Sequence, residues 1–278
     1  MIKTFIGGIA VGLANIIPGV SGGTMMVILG LFNRVMECID GLFSKNNDHR
    51  KEDFIFLCIL GAGAIVGLVV FAKVLEFCFA NYETQTMFAF VGMVAFSIPS
   101  IVKKEMSNDK FSLIPFMVGA FIIFGLMYLA PEQKDVVFTT FPDISVVYLL
   151  LMIVIGVIGG GAMFVPGVSG SMVLLIIGQY YLFKSLIANV TTFQINVLIP
   201  LIFVGCGVII GIVLSSKICN YFLRTHHSGM MNFILGLVVA SSIVLIPINA
   251  SYDILTIITS AICLIGGGLI VLSMERLS

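Results

Sequence analysis

Twice in this chain a proline and a cluster of glycines surround a serine: Pro18-Gly19-Val20-Ser21-Gly22, continued by Gly23 and Thr24, and Pro166-Gly167-Val168-Ser169-Gly170, continued by Ser171. Proline and glycine in succession stop a helix. An apolar stretch follows each motif at once, so each stands where a new helix begins. The first turn of that helix presents backbone N–H groups without partners and the positive end of the helix dipole. The hydroxyls of Ser21, Thr24, Ser169 and Ser171 belong to that turn, while Gly22, Gly23 and Gly170 remove the bulk that would hold a ligand off the backbone. Such a set of neutral donors suits an anion, phosphate above all. The same residues also serve as N-caps and as close helix-packing positions; their duplication at equivalent places favours a binding site.

Nucleophilic catalysis is the other chemistry to weigh. Gly19-Val20-Ser21-Gly22 looks like the Gly-x-Ser-Gly of rhomboid intramembrane proteases, but a serine nucleophile needs a histidine base beside it. His49, His226 and His227 are the three histidines, and all fall in polar loops. Neither they nor any Lys/Arg cluster builds a phosphatase centre, so the chain does not read as an enzyme.

The elements that must position the two motifs are written for lipid. Of 278 residues, 59% are hydrophobic and 10% charged, and mean hydropathy is +1.17, a balance no water-exposed surface could accommodate. Stretches long enough to span a bilayer at roughly 54–80, 84–102, 112–130, 197–222, 230–248 and 254–273 predict six transmembrane helices. Two longer apolar regions, 4–43 and 144–190, are each interrupted by one of the motifs. No polar stretch leaves room for a soluble domain, so one membrane domain fills residues 1–278. Lys3 ahead of an apolar run resembles a secretory leader, but the sequence continues into another amphipathic-to-apolar arm, and the N-terminus reads as mature protein. The six cysteines lack CxxC spacing and read as packing residues; no metal site and no cofactor are expected. Zero net charge argues against a nucleic-acid partner.

The two motifs are the centre of an internal repeat. At the separation of 148 that relates Pro18 to Pro166, Gly8, Gly12, Ala14, Ile28, Gly30 and Ile39 fall on Gly156, Gly160, Ala162, Ile176, Gly178 and Ile187. Beyond the polar loop the separation becomes 144, and Gly61, Gly63, Gly67, Lys73, Gly92 and Ser97 fall on Gly205, Gly207, Gly211, Lys217, Gly236 and Ser241. Repeat one is 1–140 and repeat two 141–278, each a hairpin followed by three helices.

Lys and Arg collect on the cytoplasmic side of membrane proteins. Arg50 and Lys51, with Lys45, precede the first confident span, and Lys103, Lys104 and Lys110 follow two spans later on the same face. Lys3 joins them only if region 4–43 enters and returns on one side, which makes that region a hairpin. Arg224, His226, His227 and Arg276 come back to the same face. A hairpin plus three spans is an odd number of crossings, so repeat two is inverted relative to repeat one, with both termini cytoplasmic. That is the plan of many secondary transporters. The arm 4–17 spans only about 21 Å at 1.5 Å per residue, short of a 30 Å hydrocarbon core, so the hairpins are read as re-entrant. The expected fold is an all-α polytopic membrane protein of two inverted repeats, each a re-entrant helical hairpin and three transmembrane helices.

Other charged residues read differently. Lys73 and Lys217 snorkel from helix ends to the interface. Arg34 forms a local pair with Glu37, with phosphate attraction at the hairpin base as its alternative role. Gly61-x-Gly63-xxx-Gly67 and its copy lie inside helices and read as close packing, not as a nucleotide loop.

Pro18 to Thr24 followed by Gly30, and Pro166 to Ser171 followed by Gly178-Gln179-Tyr180, closely resemble the paired hairpin motifs of the polyprenyl-phosphate transporter (PopT) family of bacterial and archaeal membranes. The similarity covers nearly the whole chain, and Asn15 ahead of the first motif fits it. The resemblance implies recycling of undecaprenyl phosphate, the lipid carrier of cell-envelope synthesis, across the bacterial cytoplasmic membrane. It implies Ser21, Gly22, Gly23 and Thr24, with Ser169, Gly170 and Ser171, as phosphate-contacting positions; Asn15 and Arg34 complete the candidate set. The expected partners are undecaprenyl phosphate and membrane lipid, with room for a coupling ion. A carrier of a small soluble anion such as phosphate is the alternative.

Overall fold

The structure, a computed structural model, describes residues 1–16, 21–44, 48–106, 110–131, 141–248 and 250–277. Pro18, Gly19 and Val20 of the first motif lie outside the described residues, as do Lys45 and Lys134. The described chain is helical: α1 (Ile2–Ile16), α2 (Gly22–Ile28), α3 (Phe32–Leu42), α4 (Arg50–Glu105), α5 (Leu113–Leu129), α6 (Val146–Ala162), α7 (Gly170–Ile176), α8 (Tyr180–Ala188), α9 (Ile195–Thr225), α10 (His227–Val244) and α11 (Ile254–Leu277). It is an all-α polytopic membrane protein. Among the described residues, five segments are long and apolar enough to cross a bilayer: Arg50–Leu75, Phe77–Lys103, Ile195–Thr225, His227–Val244 and Ile254–Ser273. The span expected at 112–130 is α5, which at 17 residues reaches about 26 Å.

Local chemistry recurs between the halves. The short helices α2 and α7 both stop at a left-handed glycine, Gly30 (φ 65°) and Gly178 (φ 74°), a conformation that disfavours any side chain with a Cβ. Leu31 N–H reaches Met26 O (2.8 Å) and Gly30 N–H reaches Val27 O (3.0 Å); Gln179 N–H and Gly178 N–H repeat this on Leu174 O and Leu175 O (2.9 and 3.0 Å). These nested bonds form a Schellman cap and turn the chain into α3 and α8. On α3, Phe32, Val35, Met36 and Ile39 are buried while Arg34 and Glu37 are exposed, an amphipathic spacing that lays one face on the protein.

The loop expected between helices 54–80 and 84–102 is a single bent residue, Tyr82 (φ −141°, ψ 46°), within α4. Its repeat equivalent, His226 (φ −137°, ψ 51°), joins α9 to α10 with nearly the same backbone.

Glycine faces hold the long helices together. A Cβ on Gly8 or Gly12 of α1 would strike the carbonyls of Leu60 or Ala64, and one on Gly63 or Gly67 of α4 those of Phe5 or Ile9. Gly156 and Gly160 of α6 meet Val204 and Val208, and Gly207 and Gly211 of α9 meet Ile153 and Val157, in the same way. Backbones this close give the van der Waals contact that drives association of apolar helices in lipid. The next layer crosses between the halves. Gly119 of α5 lies on Phe233 and Gly236 of α10 on Phe116, while Gly267 of α11 lies on Ala89 and Gly92 of α4 on Leu264. Each half's last helix is therefore packed on the other half's penultimate span, and the largest buried cluster combines residues of α1, α2, α3, α4, α9 and α10.

Candidate functional site

The two motifs meet. Ser21 is the N-cap of α2 (φ −108°, ψ 152°), its Oγ accepting from Thr24 N–H at 3.1 Å, the exchange expected of a capping serine. The two hydroxyls also lie 3.1 Å apart. Gly167 of the second motif donates its backbone N–H to Thr24 Oγ1 at 2.6 Å and to Ser21 Oγ at 3.2 Å. The Ser21 hydroxyl reaches on to Val165 O at 3.5 Å. Gly167 has φ +79° and is enclosed: a Cβ would sit 3.0 Å from Leu237 O, 3.1 Å from Ile123 Cδ1 and 3.2 Å from Ser241 Cβ. Glycine is required there on both counts.

The other candidate residues divide around this junction. Asn15, at the end of α1, accepts Gly22 N–H on Oδ1 (3.1 Å) and donates from Nδ2 to Val11 O (3.1 Å), tying the first arm to the start of α2. Gly23 makes room for the second motif itself, since a Cβ would lie 3.2 Å from Met163 O and 3.3 Å from Phe164 O. Gly170 packs on Gly159 of its own arm. Ser169 makes no side-chain cap on α7; its Oγ pairs with Ser171 Oγ at 2.7 Å, and Ser171 is exposed. The first hairpin's hydroxyls are thus buried in the junction and the second's are accessible beside it. No charged side chain occurs in 15–24 or 163–172, so the two motifs themselves offer hydroxyl and amide groups without a countercharge.

Arg34 is engaged elsewhere. Its guanidinium contacts Asp53 Oδ1 at 2.9 Å and Glu37 at 3.9 Å and lies 5.8 Å from the centroid of the Phe56 ring. Asp53 is buried and also accepts from Cys38 Sγ at 3.3 Å. The local pairing expected with Glu37 is present, but the shorter bond goes to a residue on α4. Lys73 and Lys217 are both exposed.

Sequence reasoning passed over Gly167, whose N–H bridges the hairpins, although its place in an exact repeat was a usable signal. It also passed over Asp40 and Asn220, joined through Oδ2 and Nδ2 at 2.6 Å. These are 180 residues apart and no local pattern links them.

Fold and site together define a multi-pass α-helical membrane protein in which Ser21 and Thr24 of one duplicated motif meet Gly167 of the other. The chain belongs to the family described as VCA0040-like, undecaprenyl phosphate translocase-like, whose model matches residues 11–261. It is 30% identical over 245 residues to a polyprenyl-phosphate transporter of Staphylococcus aureus, covering 86% of this chain and 84% of the relative. A polyprenyl-phosphate transporter of Vibrio cholerae is 25% identical over 250 residues, covering 86% and 76%. No solved structure matches significantly. Membership places the chain among transporters, not enzymes.

Proposed function

We propose that this protein carries polyprenyl phosphate across the cytoplasmic membrane, returning undecaprenyl phosphate to the inner leaflet for envelope synthesis, with the phosphate bound at the paired hairpin tips. The observation that carries the site is the junction of Gly167 with Ser21 and Thr24, bordered by the accessible Ser169–Ser171 pair. Irregular backbone within a bilayer persists only where protein or a polar cavity surrounds it. A charged headgroup cannot enter hydrocarbon alone, and neutral donors can hold it without a countercharge that would retain it.

The halves act as inverted repeats, a reading supported by the recurrence of the close contacts of Gly8, Gly12, Gly63, Gly67 and Gly92 at Gly156, Gly160, Gly207, Gly211 and Gly236 and by the distribution of Lys and Arg. The hairpins are re-entrant, a reading supported by α1, which has 15 residues and extends only about 22 Å, and by α2 and α7, which have seven residues each and extend only about 10 Å before the chain turns. The isoprenoid chain stays in lipid while the headgroup moves between the tips.

The test is transport of labelled polyprenyl phosphate in vesicles, with inorganic phosphate flux measured in parallel. Ser169→Leu and Ser171→Leu remove donors and fill the approach, and each should lower lipid transport at least about tenfold, the worth of one hydrogen bond to a charged group, with folding retained. Phosphate flux without lipid transport would favour the small-anion carrier. Full transport by a folded double variant would remove the tips from the mechanism.

A further inference from the structure

The two hairpins are equivalent in sequence and unequal in packing. All seven residues of α2 are buried, but in α7 only Gly170, Leu174 and Leu175 are. Ser21 and Thr24 are 4% and 1% exposed, whereas Ser171 is open. Helix α3 reaches across to the other half: its Val35, Met36 and Ile39 share a buried cluster with Cys219 and Leu223 of α9. The equivalent helix, α8, packs on α9 of its own half, and among the described residues it has no comparable seat on α4. One side of the tips is sealed by the opposite half and the other is not.

At the sealed seam, Asn220 donates to Asp40 at 2.6 Å, and Asn220 is 3% exposed. The repeat equivalents are Ala188 and Glu76, so this contact is not duplicated. Arg34 and Asp53 brace α3 against α4 nearby. We propose that the Asp40–Asn220 hydrogen bond is the latch of a gate on the α3 side of the paired tips. The structure is the state in which that gate is shut and the Ser169–Ser171 side is accessible. The inference rests on the transport reading above. A headgroup arriving beside Ser171 finds Ser21 and Thr24 occupied by Gly167, and it can leave on the far side only when α2 and α3 part from α9. By the charge distribution that far side is cytoplasmic.

One native thiol reports on the seam, since Cys219 of α9 is buried in the cluster it shares with Val35, Met36 and Ile39 of α3, while Cys38, buried against Asp53 of α4, reports on the other side of α3. With Cys58, Cys78, Cys206 and Cys263 replaced by alanine, the protein in vesicles is treated with a maleimide. Asp40→Ala and Asn220→Ala should each raise labelling of Cys219 by about tenfold, the loss of one charge-assisted hydrogen bond from the opening equilibrium, and by more than they raise labelling of Cys38. The exchanged pair Asp40→Asn with Asn220→Asp should restore protection, which a variant damaged only in folding would not do. In a background without native cysteines, Asp40→Cys with Asn220→Cys, joined by a reducible thiol cross-linker, should bind polyprenyl phosphate yet not transport it until reduced. Unchanged labelling in both single variants, or transport through the cross-linked protein, overturns the latch. Labelling needs no polyprenyl phosphate, so raised labelling in a protein that never transports that lipid would refute the substrate and leave the gate standing.

Discussion

The junction of the tips yields a double-variant experiment whose outcome follows from two distances. Gly167 N–H is buried and has two acceptors, Thr24 Oγ1 at 2.6 Å and Ser21 Oγ at 3.2 Å. Thr24→Val keeps the branched shape and removes the better acceptor together with the hydroxyl contact to Ser21. Ser21 remains to accept, so the expected loss is about 0.5–1.5 kcal/mol, the net value of one neutral hydrogen bond. Ser21→Ala removes the weaker acceptor and the cap on Thr24 N–H, the latter worth about 1 kcal/mol. The two together strand a buried N–H donor, a further cost of about 1–3 kcal/mol, so the pair should lose more than the sum of its parts. Reversible unfolding in bicelles, followed by denaturant titration of wild type, both single variants and the double, measures that coupling. An excess beyond the ~0.5 kcal/mol scatter of independent sites is expected. Strict additivity would mean that Gly167 does not depend on these hydroxyls, and the tips would not be joined as described.

Two further outcomes follow from the same contacts. Gly207→Ala should destabilise the α6–α9 pair severely, because its Cβ strikes the Ile153 carbonyl, whereas Gly205→Ala, with open space around it, should be neutral or slightly stabilising by helix propensity; equal melting shifts would contradict the packing. Arg34→Ala should cost about 1–3 kcal/mol, below the value for a fully buried pair because the guanidinium is half exposed, and Asp53→Asn should cost less because the amide still bonds; unfolding free energies check the order, and an unchanged Arg34→Ala stability with weakened transport would make Arg34 a headgroup ligand.

The sequence by itself determined the membrane class, the duplicated motifs and the glycines that would lie at close helix contacts, because these depend on composition and on spacing along one helix. Gly63 and Gly67 were legible as close packing without any partner in view, since only a small residue repeated at helical spacing lets two backbones approach. The breaks at Gly30 and Gly178 have an equally local cause, glycine's tolerance of positive φ, but the sequence marked these two only as repeat partners and as part of the family motif. The first motif's hydroxyls were legible as donors and acceptors, but what satisfies them was not: the acceptor role of Thr24 toward Gly167 joins residues 143 apart. Arg34 was paired with Glu37 from spacing alone, yet the nearer carboxylate is Asp53, brought from α4 by the turn after α3. Above all, identical motifs implied equal tips. Only tertiary structure decided that one is buried and the other open, because burial depends on which helix of the opposite half each hairpin meets, and α3 meets α9 while α8 stays with its own half.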